Sequence, residues 1–177
     1  MAVKKEPFCF AIEIFYQKEK GIPQFFPFPQ VFGRTDFAFF PVAGYICGGL
    51  PDITAFLYFI FFYPFALAHL GVNDLIDEAN DRARGLRTIP TIYDTERTRY
   101  WIAGFTVIHA IMASVFLTRL GPVGQAGIYA GLVLLVIANV VILKYKTADA
   151  ALKVLPLFHV AMVLYAGGIC AGALLAL

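Results

Sequence analysis

Residues 53–72 read "ITAFLYFIFFYPFALAHLGV", twenty positions without an Asp, Glu, Lys or Arg, and residues 73–85 continue "NDLIDEANDRARG". The first stretch has the length of one helical crossing of a bilayer core, which needs about 20 residues with a range of about 17–25. The second places Asp74, Asp77, Glu78 and Asp81 at the point where that crossing ends. Charged groups at such a depth are costly, and ionisable residues at membrane boundaries are retained where they hold something.

The whole chain has the same character. Of its 177 residues 60% are hydrophobic, 16% aromatic and only 15% charged, and the mean hydropathy is +0.74. Soluble domains are nearer half apolar and one quarter charged. This composition excludes a disordered chain and argues against an ordinary soluble globule. A net charge of +2 gives no footprint for nucleic acid. Cys9, Cys47 and Cys170 are scattered without metal-ligand spacing, and an odd number cannot pair completely within the chain. The start, "MAVKKEPFCFAIEIFYQKEK", has charges on both sides of a short apolar patch and does not read as a cleavable signal.

Five apolar segments stand out: 37–50, 53–72, 101–118, 122–143 and 154–177. The expected fold is therefore all-α, a polytopic bundle of about five transmembrane helices over 37–177, with a loop at 73–100 and an N-terminal interfacial segment over 1–36. The first segment, "FAFFPVAGYICGGL", is short and carries Pro41, so by length alone it fits either a span or a re-entrant turn. Charge placement favours a span. With five crossings, thirteen of the fourteen Lys and Arg fall at one side, and only Arg119 lies opposite. Lys and Arg accumulate in cytoplasmic loops, so the N-terminus and the aspartates are expected to face the cytoplasm. Within 1–36, "FAIEIFYQKEK" suits a short interfacial helix. The three prolines of "GIPQFFPFPQVFG" argue against a regular helix there.

On a helix continuing past Val72, Asp74, Asp77 and Asp81 stand at i, i+3 and i+7 and form one stripe. Asn73 lies beside it, four positions before Asp77. Stacked like charges destabilise a helix by themselves, and a divalent cation removes that penalty. Carboxylate oxygens suit magnesium, which also commonly binds substrate phosphates. The plainer account is a solvated acidic face, partly neutralised by Arg82 and Arg84. An EF-hand loop is rejected, because its acidic spacing and central glycine are absent.

The pattern N-D-x-x-D-x-x-x-D, the basic residues after it, and the continuation "RTIPTIYDTERTRYWIAG" at the end of a membrane helix resemble the aspartate-rich motif of the UbiA superfamily of intramembrane prenyltransferases. The local likeness covers about residues 70–104, and a weaker one in helix order covers most of 37–177. The resemblance implies that Asp74, Asp77 and Asp81 hold Mg2+ and that Asn73, Arg82, Arg84 and Arg87 contact a diphosphate. It implies transfer of a polyprenyl group from its diphosphate to a lipophilic acceptor, with no catalytic base identified. The match is incomplete. Family members have nine membrane helices and two facing motifs, whereas this chain has about five helices and one motif. "YDTERTRY", with Asp94 and Glu96, lies too close behind the first motif to face it. The form of the motif suggests the C-terminal half of the family fold, the rest coming from a second half-chain, a homo-oligomer or a larger membrane complex. The alternative is a non-catalytic UbiA-like subunit packed in such a complex. His69, His109 and His159 are expected to be hydrogen-bonded packing residues rather than haem ligands. Asn139 should find a partner on another helix, and "AGGICAGA" should permit close helix packing.

Overall fold

The structure is a computed structural model that describes residue 14 and residues 26–48, 50–145 and 147–175. The expected interfacial helix at 10–20 lies outside those residues, apart from Ile14. The described residues form seven α-helices, one 3₁₀ turn and no strand: α1 (Phe28–Gly33), α2 (Thr35–Ile46), α3 (Ile53–Ala83), α4 (Ile89–Tyr93), α5 (Thr95–Phe116), the turn Leu117–Arg119, α6 (Pro122–Tyr145) and α7 (Ala148–Leu174). Four of them, α3, α5 with its following turn, α6 and α7, are long and apolar enough to cross a bilayer. The protein is a multi-pass integral membrane protein with an all-helical bundle.

The fifth expected crossing takes a different form. The 12 residues of α2 rise only about 18 Å, against a hydrocarbon core of about 30 Å. The short helix α1 precedes it, separated by Arg34. The chain turns into α1 at Pro27, and Pro29 is accommodated in its first turn, where no intrahelical N–H is required. The 28–33 stretch is thus helical despite Pro29. Contacts set the direction of this pair. The Gln30 side chain donates to the Arg87 carbonyl and the Tyr63 hydroxyl donates to the Val31 carbonyl at 2.8 Å. At the other end Tyr45 packs on Tyr58, their rings 5.4 Å apart. Together α1 and α2 run antiparallel to α3.

Helix α3 is the centre of the bundle: 56% of its apolar window is buried, against 22–33% for the other three long helices. Phe61, Phe65, Leu67 and Leu70 are almost wholly enclosed. Phe61 stacks on Phe116 of α5 at 4.8 Å and meets Tyr165 of α7 edge-on at 5.3 Å. Val107, Ile111, Val133, Val140 and Val163 point outward, as side chains facing lipid should. Lipid tails are as apolar as these groups, so burial drives helix association weakly and close approach matters more. The α6–α7 pair shows this. A methyl group on Gly127 would lie 2.6 Å from the Leu164 carbonyl oxygen and 3.0 Å from the Gly168 Cα, and one on Gly131 would lie 2.3 Å from the Tyr165 ring. The small-residue run of α7 therefore serves packing, as its composition suggested.

Buried polar groups complete the joints. His109 hydrogen-bonds through Nδ1 with the Phe61 carbonyl at 2.8 Å and through Nε2 with the Tyr165 hydroxyl at 3.0 Å. Both ring nitrogens are occupied by α3 and α7, which suits a packing residue. Asn139 of α6 donates to Thr106 of α5 at 3.0 Å, the partner its position called for.

Candidate functional site

The aspartate stretch remains helical to Ala83, and the helix ends where glycine permits. Gly85 has φ +68°, a conformation that costs other residues a steric penalty. The Leu86 N–H bonds to the Asp81 carbonyl at 2.9 Å and the Gly85 N–H to the Arg82 carbonyl at 3.2 Å, the paired bonds of a Schellman termination. This stop turns the chain back along α3 and leads residues 86–94 past the acidic side chains.

At about 100° per residue, Asp74 and Asp81 point within about 20° of each other, and Asp77 lies about 60° to one side. Burial follows that geometry. Asp74 and Asp81 are 5% and 7% exposed, whereas Asp77 is exposed. Asp74 Oδ2 accepts from the buried Ile89 N–H at 3.2 Å, so this carboxylate anchors the returning loop. Glu78, beside the stripe, accepts from Arg82 at 2.9 Å and from the Thr95 hydroxyl at 2.8 Å. Arg82 also donates to the Pro90 carbonyl at 3.0 Å, which draws α4 and α5 onto α3. Arg84 is exposed and Arg87 half-buried.

About 40° around α3 from Asp77, Asn73 Nδ2 lies 3.3 Å from His69 Nδ1. His69 Nε2 in turn lies 3.1 Å from His159 Nε2 on α7. Asn73 thus links the acidic end to an inter-helix histidine pair rather than pointing at a lone carboxylate. Asp94 and Glu96 have structural employment. The Asp94 carboxylate caps α5 by accepting from the Arg97 N–H at 2.8 Å. Glu96 lies 3.3 Å from Arg99. Tyr93, the last residue of α4, has its phenol pushed up by burial.

Sequence reasoning missed Gln30 and Arg99. Gln30 is fully buried, in a stretch that sequence placed in the interface. Arg99 counted only as a loop charge, yet it is 3% exposed and donates to the Leu143 carbonyl at 3.0 Å, in the last turn of α6. Only the separation of α5 and α6 in space makes that role visible, and no local pattern signals it.

The oxygen donors suit a hard cation in kind. Among the described residues, however, no three acidic, histidine or cysteine side chains are arranged to enclose a metal. Magnesium seldom needs such a cage, since it is often bound by one or two carboxylates plus substrate phosphates. One Asp74 oxygen is already given to the Ile89 N–H.

The sequence matches the model of the UbiA prenyltransferase family over residues 7–163, most of the chain and the whole of the acidic site. The chain belongs to the UbiA prenyltransferase family. No curated protein and no solved structure matches it. Family membership places the buried aspartates of α3 in a prenyltransferase-type membrane protein. The reading as a non-catalytic subunit gains no separate support.

Proposed function

We propose that this UbiA-family chain is a magnesium-dependent prenyltransferase, or one half of one, that moves a polyprenyl group from its diphosphate to a lipophilic acceptor. One observation carries the reading. Two nearly enclosed carboxylates, Asp74 and Asp81, and the exposed Asp77 stand together at the end of a membrane helix, in a chain of this family. An enclosed carboxylate, Asp81, beside an open one, Asp77, suits a hard cation shared with a diphosphate.

In this reading Asp77 and Asp81 hold Mg2+, with Asp74 fixing the loop behind them and Asn73 supporting the α3–α7 edge. When bound, the metal neutralises the diphosphate as the allylic C–O bond breaks. Arg84 and Arg87 lend charge-assisted hydrogen bonds to the phosphate oxygens. Arg82, engaged by Glu78 and Pro90, holds the loop rather than the substrate. The prenyl chain lies among apolar helices open to lipid, which is where so insoluble a group resides. The concentration of Lys and Arg on the aspartate side supports a cytoplasmic location for the site. A second half-chain, a second copy or a larger membrane complex would supply the remaining walls.

The test is transfer of a radiolabelled prenyl group by the protein in native membranes, together with Mg2+-dependent thermal stabilisation by geranylgeranyl diphosphate. Asp77→Asn and Asp81→Asn should each abolish both signals while leaving the elution profile in detergent unchanged. Full turnover by both variants would reject the proposal.

A further inference from the structure

The end of the bundle farthest from the aspartates has chemistry of its own. A cavity of about 420 Å³ opens there between α2, α3, α6, α7 and the end of α5, lined by Tyr45, Thr54, Tyr58, Phe116, Arg119 and Ile169 among others. A second cavity of about 380 Å³ shares Tyr45, Tyr58 and Ile169 with it and continues along α2 and α7 past Phe62 and Ala166. The first has a polar mouth, and the second is an apolar trough.

Arg119 lines the mouth, and a carboxylate is bonded to two of the other lining residues. Arg119, in the turn between α5 and α6, is exposed, and its side chain has no ion pair or hydrogen bond among the described residues. It is also the one described Lys or Arg at this end of the bundle. An arginine in this position could simply extend into water, but here it borders a cavity. The negative charge is Asp52. Its carboxylate accepts from the Tyr45 hydroxyl at 3.0 Å, and from the Thr54 N–H at 2.8 Å and the Thr54 hydroxyl at 3.3 Å, so both its partners line the same cavity as Arg119. Desolvation works to raise the Asp52 pKa, yet the bonds from Tyr45 and Thr54 outweigh it and leave the carboxyl below its usual range. The carboxylate is therefore ionised at neutral pH.

We propose that this end holds one zwitterionic aminophospholipid of the surrounding leaflet, its phosphate on Arg119, its ammonium on Asp52 and an acyl chain in the trough beside Tyr58, Phe62 and Ala166. The charges choose among lipids. Arginine pairs well with phosphate, which every phospholipid offers. Asp52 asks for a cation with N–H donors. Phosphatidylethanolamine has it, phosphatidylcholine carries a methylated nitrogen with no N–H, and phosphatidylglycerol has no cation. The site is independent of prenyl transfer and lies at the other end of α3 from the aspartates.

Native mass spectrometry of the full chain, reconstituted in nanodiscs with equal parts of the three lipids, tests this directly. The protein should retain phosphatidylethanolamine about tenfold over each of the others, the scale of one charge-assisted hydrogen bond. Arg119→Gln should lower retention of all three lipids. Asp52→Asn, which keeps an effective helix cap, should remove the preference for ethanolamine over choline while leaving retention of choline lipid unchanged. Ala166→Phe, which fills the exposed trough from one side, should weaken all three lipids without altering their order. Equal retention of the three lipids by the unaltered protein would mean an unspecific lipid shell and overturn the proposal, as would unchanged preference in Asp52→Asn. A diphosphate-binding defect at Asp77 has no bearing on either outcome.

Discussion

Asp74 offers the sharpest separation between a side chain that holds the loop and one that holds a ligand. Its carboxylate is nearly enclosed and accepts from the Ile89 N–H at 3.2 Å, and Ile89 itself is fully buried. Asp74→Ala leaves that amide with no acceptor and no access to water, a cost of about 1–3 kcal/mol. At about 1.4 kcal/mol per factor of ten, local opening at Ile89 should become roughly 5- to 150-fold more frequent. Asp74→Asn keeps an amide oxygen in the same place and retains a neutral hydrogen bond, so its effect should be smaller, about 1 kcal/mol. Asp77→Asn should not disturb Ile89, because Asp77 is exposed and the Ile89 N–H bonds to Asp74. The assay is hydrogen–deuterium exchange of the peptide spanning residues 86–94, measured in detergent without substrate. Equal exchange in wild type and Asp74→Ala would show that the bond does not hold the loop. Equal effects of alanine and asparagine would show that the acceptor oxygen is not what matters.

Two further predictions concern the joints of the bundle. Gly127→Ala puts a methyl group 2.6 Å from the Leu164 carbonyl and should destabilise the protein by about 1–3 kcal/mol. Gly104→Ala, which meets nothing within 4 Å, should be neutral or stabilising by up to about 1 kcal/mol, and unfolding in mixed micelles that ranks the two alike would refute the packing account. Tyr165→Phe strips His109 Nε2 of its partner at 3.0 Å and should cost about 1 kcal/mol, given the modest worth of buried hydrogen bonds between membrane helices; an unchanged unfolding midpoint would contradict this.

The family match strengthens the transferase reading at the level of the whole chain, while the local geometry adds what the motif alone did not contain. The motif predicted three equivalent aspartates. In the folded protein they differ: Asp74 is tied to the loop, Asp81 is enclosed, and Asp77 is open. Arg82 divides from the exposed Arg84 in the same way, since Glu78 and Pro90 engage it.

The long helices, their membrane character and the acidic stripe were legible because they depend on local quantities: runs of apolar side chains, and a period of 3.6 residues that carries Asp74, Asp77 and Asp81 down one face. Other features arise from separations in space that no window of sequence contains. The first expected crossing, 37–50, is a shorter helix preceded by α1, which Gln30 and Tyr63 fasten to the distant Arg87 carbonyl and to α3. Arg99 is buried because the end of α6 happens to lie against it. Which aspartate holds the loop was decided by where Ile89 came to rest, fifteen residues along the chain and one hydrogen bond away. A backbone amide removed from water takes the nearest acceptor, and only the tertiary structure determines which acceptor that is.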